Sequence, residues 1–123
     1  MGGIRIVFFD GSRMRDKYND IWSTTDGVHW KQVTPHAPWL SRQWCSIASF
    51  DNRLWVMAGD EDVKRNSMLN DIWHSPGGAI GTRQKGAFWP PRHAAPTVEF
   101  KNKLWLVGGL ISRNDGAFQM MYG

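Results

Sequence analysis

The chain has one cysteine in 123 residues. Cys45 therefore has no intramolecular disulfide partner, and a lone thiol says nothing about redox compartment. Long apolar runs are missing: nothing approaches the ~20 residues that span a bilayer. The N-terminal segment Ile4–Phe9 is also too short and wrongly flanked for a signal peptide. No stretch sustains a 3.6-residue apolar period between caps, which excludes a helical bundle or solenoid. Excess charge of one sign is small, with a formal net charge of +4. Basic residues are interleaved with acids, as in Arg13-Met14-Arg15-Asp16-Lys17, and the aromatics fall in apolar segments. A nucleic-acid surface needs clustered Lys and Arg beside exposed rings, so that partner is not expected. His29, His36, His74 and His93 show no metal-ligand spacing, and no cysteine pair accompanies them. Asp60-Glu61-Asp62 lacks the alternating ligands and central glycine of a calcium loop and reads as a solvated loop. No metal, cofactor or membrane partner is expected.

What the chain has in abundance is tryptophan (eight) and glycine (thirteen), and both recur at a fixed interval. Asn19-Asp20-Ile21-Trp22 returns as Asn70-Asp71-Ile72-Trp73. Phe50-Asp51-Asn52-Arg53-Leu54-Trp55 returns fifty residues later as Phe100-Lys101-Asn102-Lys103-Leu104-Trp105, and Gly59 returns as Gly109. Seven of the twenty-one positions in 39–59 are identical in 89–109. A period of this size is the signature of repeat architectures, propellers among them.

Each copy reads as hairpins. Residues 44–50 and 53–58 flank the polar pair Asp51-Asn52, and residues 94–100 and 103–108 flank Lys101-Asn102. Residues 17–23 and 29–33 form a third hairpin across Thr24-Thr25-Asp26-Gly27, where Asp-Gly tolerates positive φ. Residues 68–75 repeat the Asn-Asp-Ile-Trp strand, with 86–89 as its expected partner. Leu54-Trp55-Val56-Met57 and Leu104-Trp105-Leu106-Val107 are apolar on both alternating faces. Such strands need cover on both sides. Without helices, the cover must be neighbouring sheets stacked face to face, as in a propeller.

These residues resemble the kelch repeat of kelch-type and galactose-oxidase-type β-propellers. The likeness rests on the Arg that opens the first strand (Arg42, Arg92), on the Leu-Trp-Val/Leu strand ending at Gly59 or Gly108-Gly109, on Asn-Asp-Ile-Trp, and on Trp30 in the following strand. Ala58 departs from the glycine doublet. The segment 22–30 also looks like the aspartate-box turn of sialidase-like propellers, but lacks the residue between Asp and Gly, and is taken as a turn only. The resemblance implies an all-β segment of antiparallel four-stranded blades. Residues 1–16 form a lead-in and loop, 17–109 hold the repeats (a half blade at 17–33, a full blade at 43–89, a half blade at 94–109), and 110–123 form an incomplete tail. Family propellers carry more blades than the two present, so the chain reads as an excerpt of a longer propeller. Alternatively, its complementary half blades pair between copies, three chains closing six blades.

The family's function is mostly non-catalytic recognition, loops on one face presenting side chains to a protein or glycan. The alternative is part of a carbohydrate-active enzyme such as a sugar mutarotase, a sialidase-like or a galactose-oxidase-like protein. No catalytic residue can be named. Copper-radical chemistry needs converging tyrosines, and only Tyr18 and Tyr122 exist. Repeated residues (Asn19, Asp20, Trp22, Trp30, Trp55, Gly59, Asn70, Asp71, Trp73, Trp105, Gly108, Gly109) are expected to hold the frame. Candidate ligand-binding residues are Arg42 and Arg92, whose forked donors suit anions or sugars, and the non-repeated Gln43, Trp44 and His93 beside them. Cys45 is expected to serve as a small buried hydrophobe.

Overall fold

The computed structural model describes residues 4–9, 12–61, 68–85, 88–112 and 118–120. Among them are twelve β-strands and no helix, and all pairing between strands is antiparallel. The centre is a four-stranded sheet in chain order: β5 (Ser46–Phe50), β6 (Arg53–Met57), β7 (Ile72–Ser75) and β8 (Thr82–Gln84). A leading hairpin pairs β3 (Ile21–Ser23) with β4 (Lys31–Thr34), and a trailing hairpin pairs β9 (Thr97–Phe100) with β10 (Lys103–Leu106). Two further hairpins are β1 (Ile4–Phe9) with β2 (Ser12–Lys17), and β11 (Leu110–Ser112) with β12 (Phe118–Met120).

The β5–β6 and β9–β10 turns follow the same rule. Asp51 and Asn52 take φ of 52° and 56°, and Lys101 and Asn102 take 51° and 57°. Positive φ at both central residues is what a two-residue turn needs to match the right-handed twist of its strands. The equivalence extends further. Trp44 and Ala94 have φ of 52° and 56°, while Gly59 and Gly109 have 101° and 106°. A Cβ on Gly59 would lie 2.9 Å from the Gln43 carbonyl, and one on Gly109 would lie 3.0 Å from that of His93. Glycine recurs there because the backbone of the preceding strand entry passes too close for any side chain.

Period-two alternation places the core on both sides of the central sheet. Leu54, Val56 and Trp73 turn toward the leading hairpin, where they pack with Ile21, Val33, Ala37, Trp39 and Cys45. Trp55, Met57 and Ile72 turn the other way and pack with Ala48, Ala58, Trp89 and Leu104 of the trailing hairpin. The both-faces-apolar pattern is thus met by a separate hairpin on each side, and β9–β10 does not join the central sheet edge to edge. Burying a side chain such as Val56 contributes on the order of 1.5–3 kcal/mol.

Local departures from the sequence expectation have physical causes. The partner of β7 is Thr82–Gln84, not residues 86–89. The Ser75 hydroxyl accepts from Gly78 N at 2.7 Å and donates to the Ile80 carbonyl, and Gly78 takes φ of 94°. This compact turn reverses the chain several residues early, so the strands of the four-stranded sheet span 46–84, inside the 43–89 expected for a full blade. Residues 86 and 87 lie outside the described set. The expected lead-in 1–16 is taken up by the β1–β2 hairpin, which runs one residue past it to Lys17 and whose first strand is rich in β-branched and aromatic residues. The tail 110–123 likewise contains β11 and β12.

Candidate functional site

The repeated framework residues bond to one another. Arg42, 1% exposed, donates Nε to the Leu40 carbonyl at 3.0 Å and one terminal nitrogen to the Ala58 carbonyl at 2.9 Å. Its terminal nitrogens also fork onto both carboxylate oxygens of Asp71, at 2.7 and 2.9 Å. Asp71 in turn accepts the Trp73 indole N–H at 2.8 Å. Burial alone would push the Asp71 carboxyl up, but the hydrogen bonds and charge of Arg42, joined by Trp73 and Arg83, bring it below the ordinary carboxylate range. The pair fastens the entry of β5 to the end of β6 and the start of β7.

The outer copies repeat half of this arrangement each. Arg92 is buried and donates Nε to Pro90 O at 3.1 Å and one terminal nitrogen to Gly108 O at 2.9 Å. Among the described residues no carboxylate meets it. Asp20 accepts the Trp22 indole N–H at 2.8 Å, as Asp71 does from Trp73, and no described guanidinium reaches it. Asn19 donates to the carbonyls of Ala37 and Trp39 at 3.3 and 3.0 Å and so ties the start of β3 to the chain after β4. Asn70 is half-buried, and Trp30, expected within the strand, is exposed and lies just before β4. Trp55 and Trp105 each donate to the carbonyl of the Phe five residues earlier, at 2.8 and 2.9 Å.

The non-repeated candidates come together between the two copies. Trp44 and His93, 49 positions apart, stack with ring centroids 5.0 Å apart and planes 28° apart. The Ala94 amide donates to the Trp44 carbonyl at 2.8 Å, which locks the two strand entries side by side. The His93 ring is buried, with Nδ1 2.8 Å from the Met68 sulfur, while Trp44 stays 46% exposed. Removal from water pushes the His93 imidazole below its ordinary pKa, with Asp60's charge opposing, so the neutral ring is favoured. Gln43 is buried beside them. Its Nε2 donates to Asp60 Oδ2 at 3.3 Å, and its Oε1 has no partner among the described residues.

Asp60 is the residue that sequence reasoning missed. Far from lying in a solvated loop, it is 0% exposed, its backbone bridging Gln43 on one side and Met68 on the other. The next residue, Glu61, is exposed. A signal was present: the residue after the glycine is Leu110 in the other copy, so a carboxylate at position 60 stands where the repeat has an apolar side chain. Cys45 packs against the core around Val56, and burial pushes its thiol up, which keeps it protonated and unreactive. Of the other histidines, His29 bonds Asp26, His36 bonds Asn19 and His74 packs on Trp55. Among the described residues no three metal-ligating side chains converge.

The site is therefore a half-exposed indole resting on a buried imidazole, with a buried amide and carboxylate beneath. The indole face can take an apolar or sugar-ring surface, and the buried groups beneath it hold the ring in place. No protein-family model matches the chain, and no curated protein sequence matches it either.

Proposed function

We propose that the chain is a segment of a kelch-type β-propeller that acts as a non-catalytic recognition scaffold for a glycan or protein surface. The observation that carries this is the Trp44–His93 stack: a large aromatic face is held half in solvent by a left-handed backbone and a buried partner ring. A recognition residue on a repeat scaffold should differ between copies, and position 44 is Trp in one copy and Ala94 in the other. A flat, half-exposed indole suits the C–H face of a pyranose. Arg42, fully engaged with Leu40, Ala58 and Asp71, serves the frame in this reading.

Glycan-array screening followed by titration of the best hits tests the proposal. Wild-type protein should bind a glycan with its covalent structure and anomeric ratio unchanged, and Trp44→Ala should lose binding while keeping the fold. Accelerated anomerisation or oxidation of a sugar, abolished by His93→Ala, would replace the scaffold with the carbohydrate-active alternative.

A further inference from the structure

We propose that Met68 and His93 form a binding site for a soft monovalent cation of the copper(I) class, with the Trp44 indole covering one face of the imidazole. The two ligands lie 25 positions apart, so no local spacing in the sequence announces them. They meet because the backbone of Asp60 bridges Gln43 on one side and Met68 on the other, beside the entry of the next copy at His93. The contact is close. His93 Nδ1 stands 2.8 Å from the Met68 sulfur, which brings an imidazole nitrogen and a thioether to the same small volume.

The donor set selects the ion. Thioether sulfur is soft and favours copper(I), imidazole serves copper well, and neither suits calcium or magnesium. Among the described residues no three carboxylates, imidazoles or thiols gather, so the usual zinc set is absent as well. A first-row ion sits about 2.0–2.1 Å from an imidazole nitrogen and about 2.3 Å from sulfur. Held between the two at a bent angle, it parts them by under about 1 Å, which methionine's flexible stem can supply.

The surroundings fit a single positive charge. His93 is 2% exposed and Asp60 0% exposed, and the Asp60 carboxylate already acts on the imidazole through space. A negative charge at that range offsets the cost of taking a cation out of water. Burial favours the neutral His93 ring, the form that ligates a metal. Met68 is only half-buried, so it marks the side from which an ion enters. Trp44 stacks on the ring at 5.0 Å between centroids and so reports on its occupancy. The site takes a different class of ligand from the outer face of Trp44 and does not rest on the recognition role.

The test uses the 123-residue chain carrying Cys45→Ala, which removes the competing thiol. Silver(I) nitrate in chloride-free buffer is the probe, since silver(I) shares the ligand preference of copper(I) without changing oxidation state. Tryptophan fluorescence should fall saturably, and Trp44→Phe should remove most of that change. The chain has six methionines, so methyl-labelled methionine NMR identifies the ligand: the Met68 methyl should shift with one ion per chain. Met68→Leu and His93→Gln should each weaken binding at least about tenfold, and Met68→Cys, another soft donor, should retain it. Excess zinc(II) should not displace the silver. Where a substitution prevents folding, the Met68 methyl and His93 ring-nitrogen shifts in the chain with both ligands intact decide the matter. An unmoved Met68 methyl, or affinity indifferent to both substitutions, overturns the inference. Silver uptake without glycan binding counts against the recognition role alone, and glycan binding without silver uptake counts against this site alone.

Discussion

Arg42 grips Asp71 through both terminal nitrogens, at 2.7 and 2.9 Å, and the pair is nearly excluded from solvent. A forked pair of this kind is costly to break because the surviving charge stays desolvated. Arg42→Leu should therefore destabilise the protein by about 3–5 kcal/mol, read as a drop in denaturant midpoint. Asp71→Asn, which keeps the shape and some hydrogen bonds, should cost less.

The same pair sets an acid limit. The carboxyl of Asp71 lies below its ordinary value of 3.8 when folded, so the unfolded chain binds the proton first as pH falls. Its stabilising contribution should be intact above that value and decline as pH drops through it toward the folded pKa. Denaturant melts between pH 5 and pH 2 should show this decline, and Asp71→Asn should flatten it.

His93 titrates in the same sense at a higher pH. Burial depresses its imidazole below 6.5, so between that value and the folded pKa the unfolded state again holds the extra proton. Stability should be full above pH 6.5 and fall as the pH is lowered through the interval beneath it. Imidazole proton shifts measured by NMR should give His93 a pKa below the ordinary imidazole value of 6.5.

Gly59 combines φ of 101° with a Cβ position 2.9 Å from the Gln43 carbonyl and 3.0 Å from Cys45 Cβ. Gly59→Ala should cost about 2 kcal/mol or more, since both backbone strain and a backbone clash oppose it. A thermal melt would register this as a drop of several degrees. Lys101 presents the opposite opportunity. It holds φ of 51° without the side chain that tolerates it, and Lys101→Asn should raise stability by roughly 0.5–1 kcal/mol.

The turn 24–29 is fastened by one carboxylate. Asp26 accepts from the amides of Val28 and His29, both at 2.8 Å, and meets the His29 ring and the Thr24 hydroxyl. These bonds, led by His29's side chain, hold its pKa far below the ordinary value. Asp26→Ala should speed amide exchange at Val28 and His29 while leaving exchange in β6 unchanged.

Strand pairing and layer order were legible because period-two alternation and the fifty-residue repeat act locally and reinforce each other. Leu54-Trp55-Val56-Met57 could only be satisfied by cover on both sides, and that is what Ile21 and Leu104 provide. The turns were legible from Asp51-Asn52 and Lys101-Asn102 by position, though Lys101 is a poor residue for positive φ and only its place in the repeat gave it away. The β8 strand was obscured because Thr82, Arg83 and Gln84 are all exposed and polar, leaving no apolar pattern to read. At the site, Gln43, Trp44 and His93 stood out as breaks in the repeat. Their meeting with Asp60 and Met68 depends on bridges between distant segments, which no local pattern encodes.

Everything rests on the three sheets lying face to face, and NOE spectroscopy on methyl-labelled protein reads that stacking most directly. Cross-peaks should join the Ile21 and Val33 methyls to those of Val56, and the Leu104 methyls to Met57 and Ile72. Backbone NOEs placing β6 and β10 in one continuous sheet, without those methyl contacts, would contradict the account.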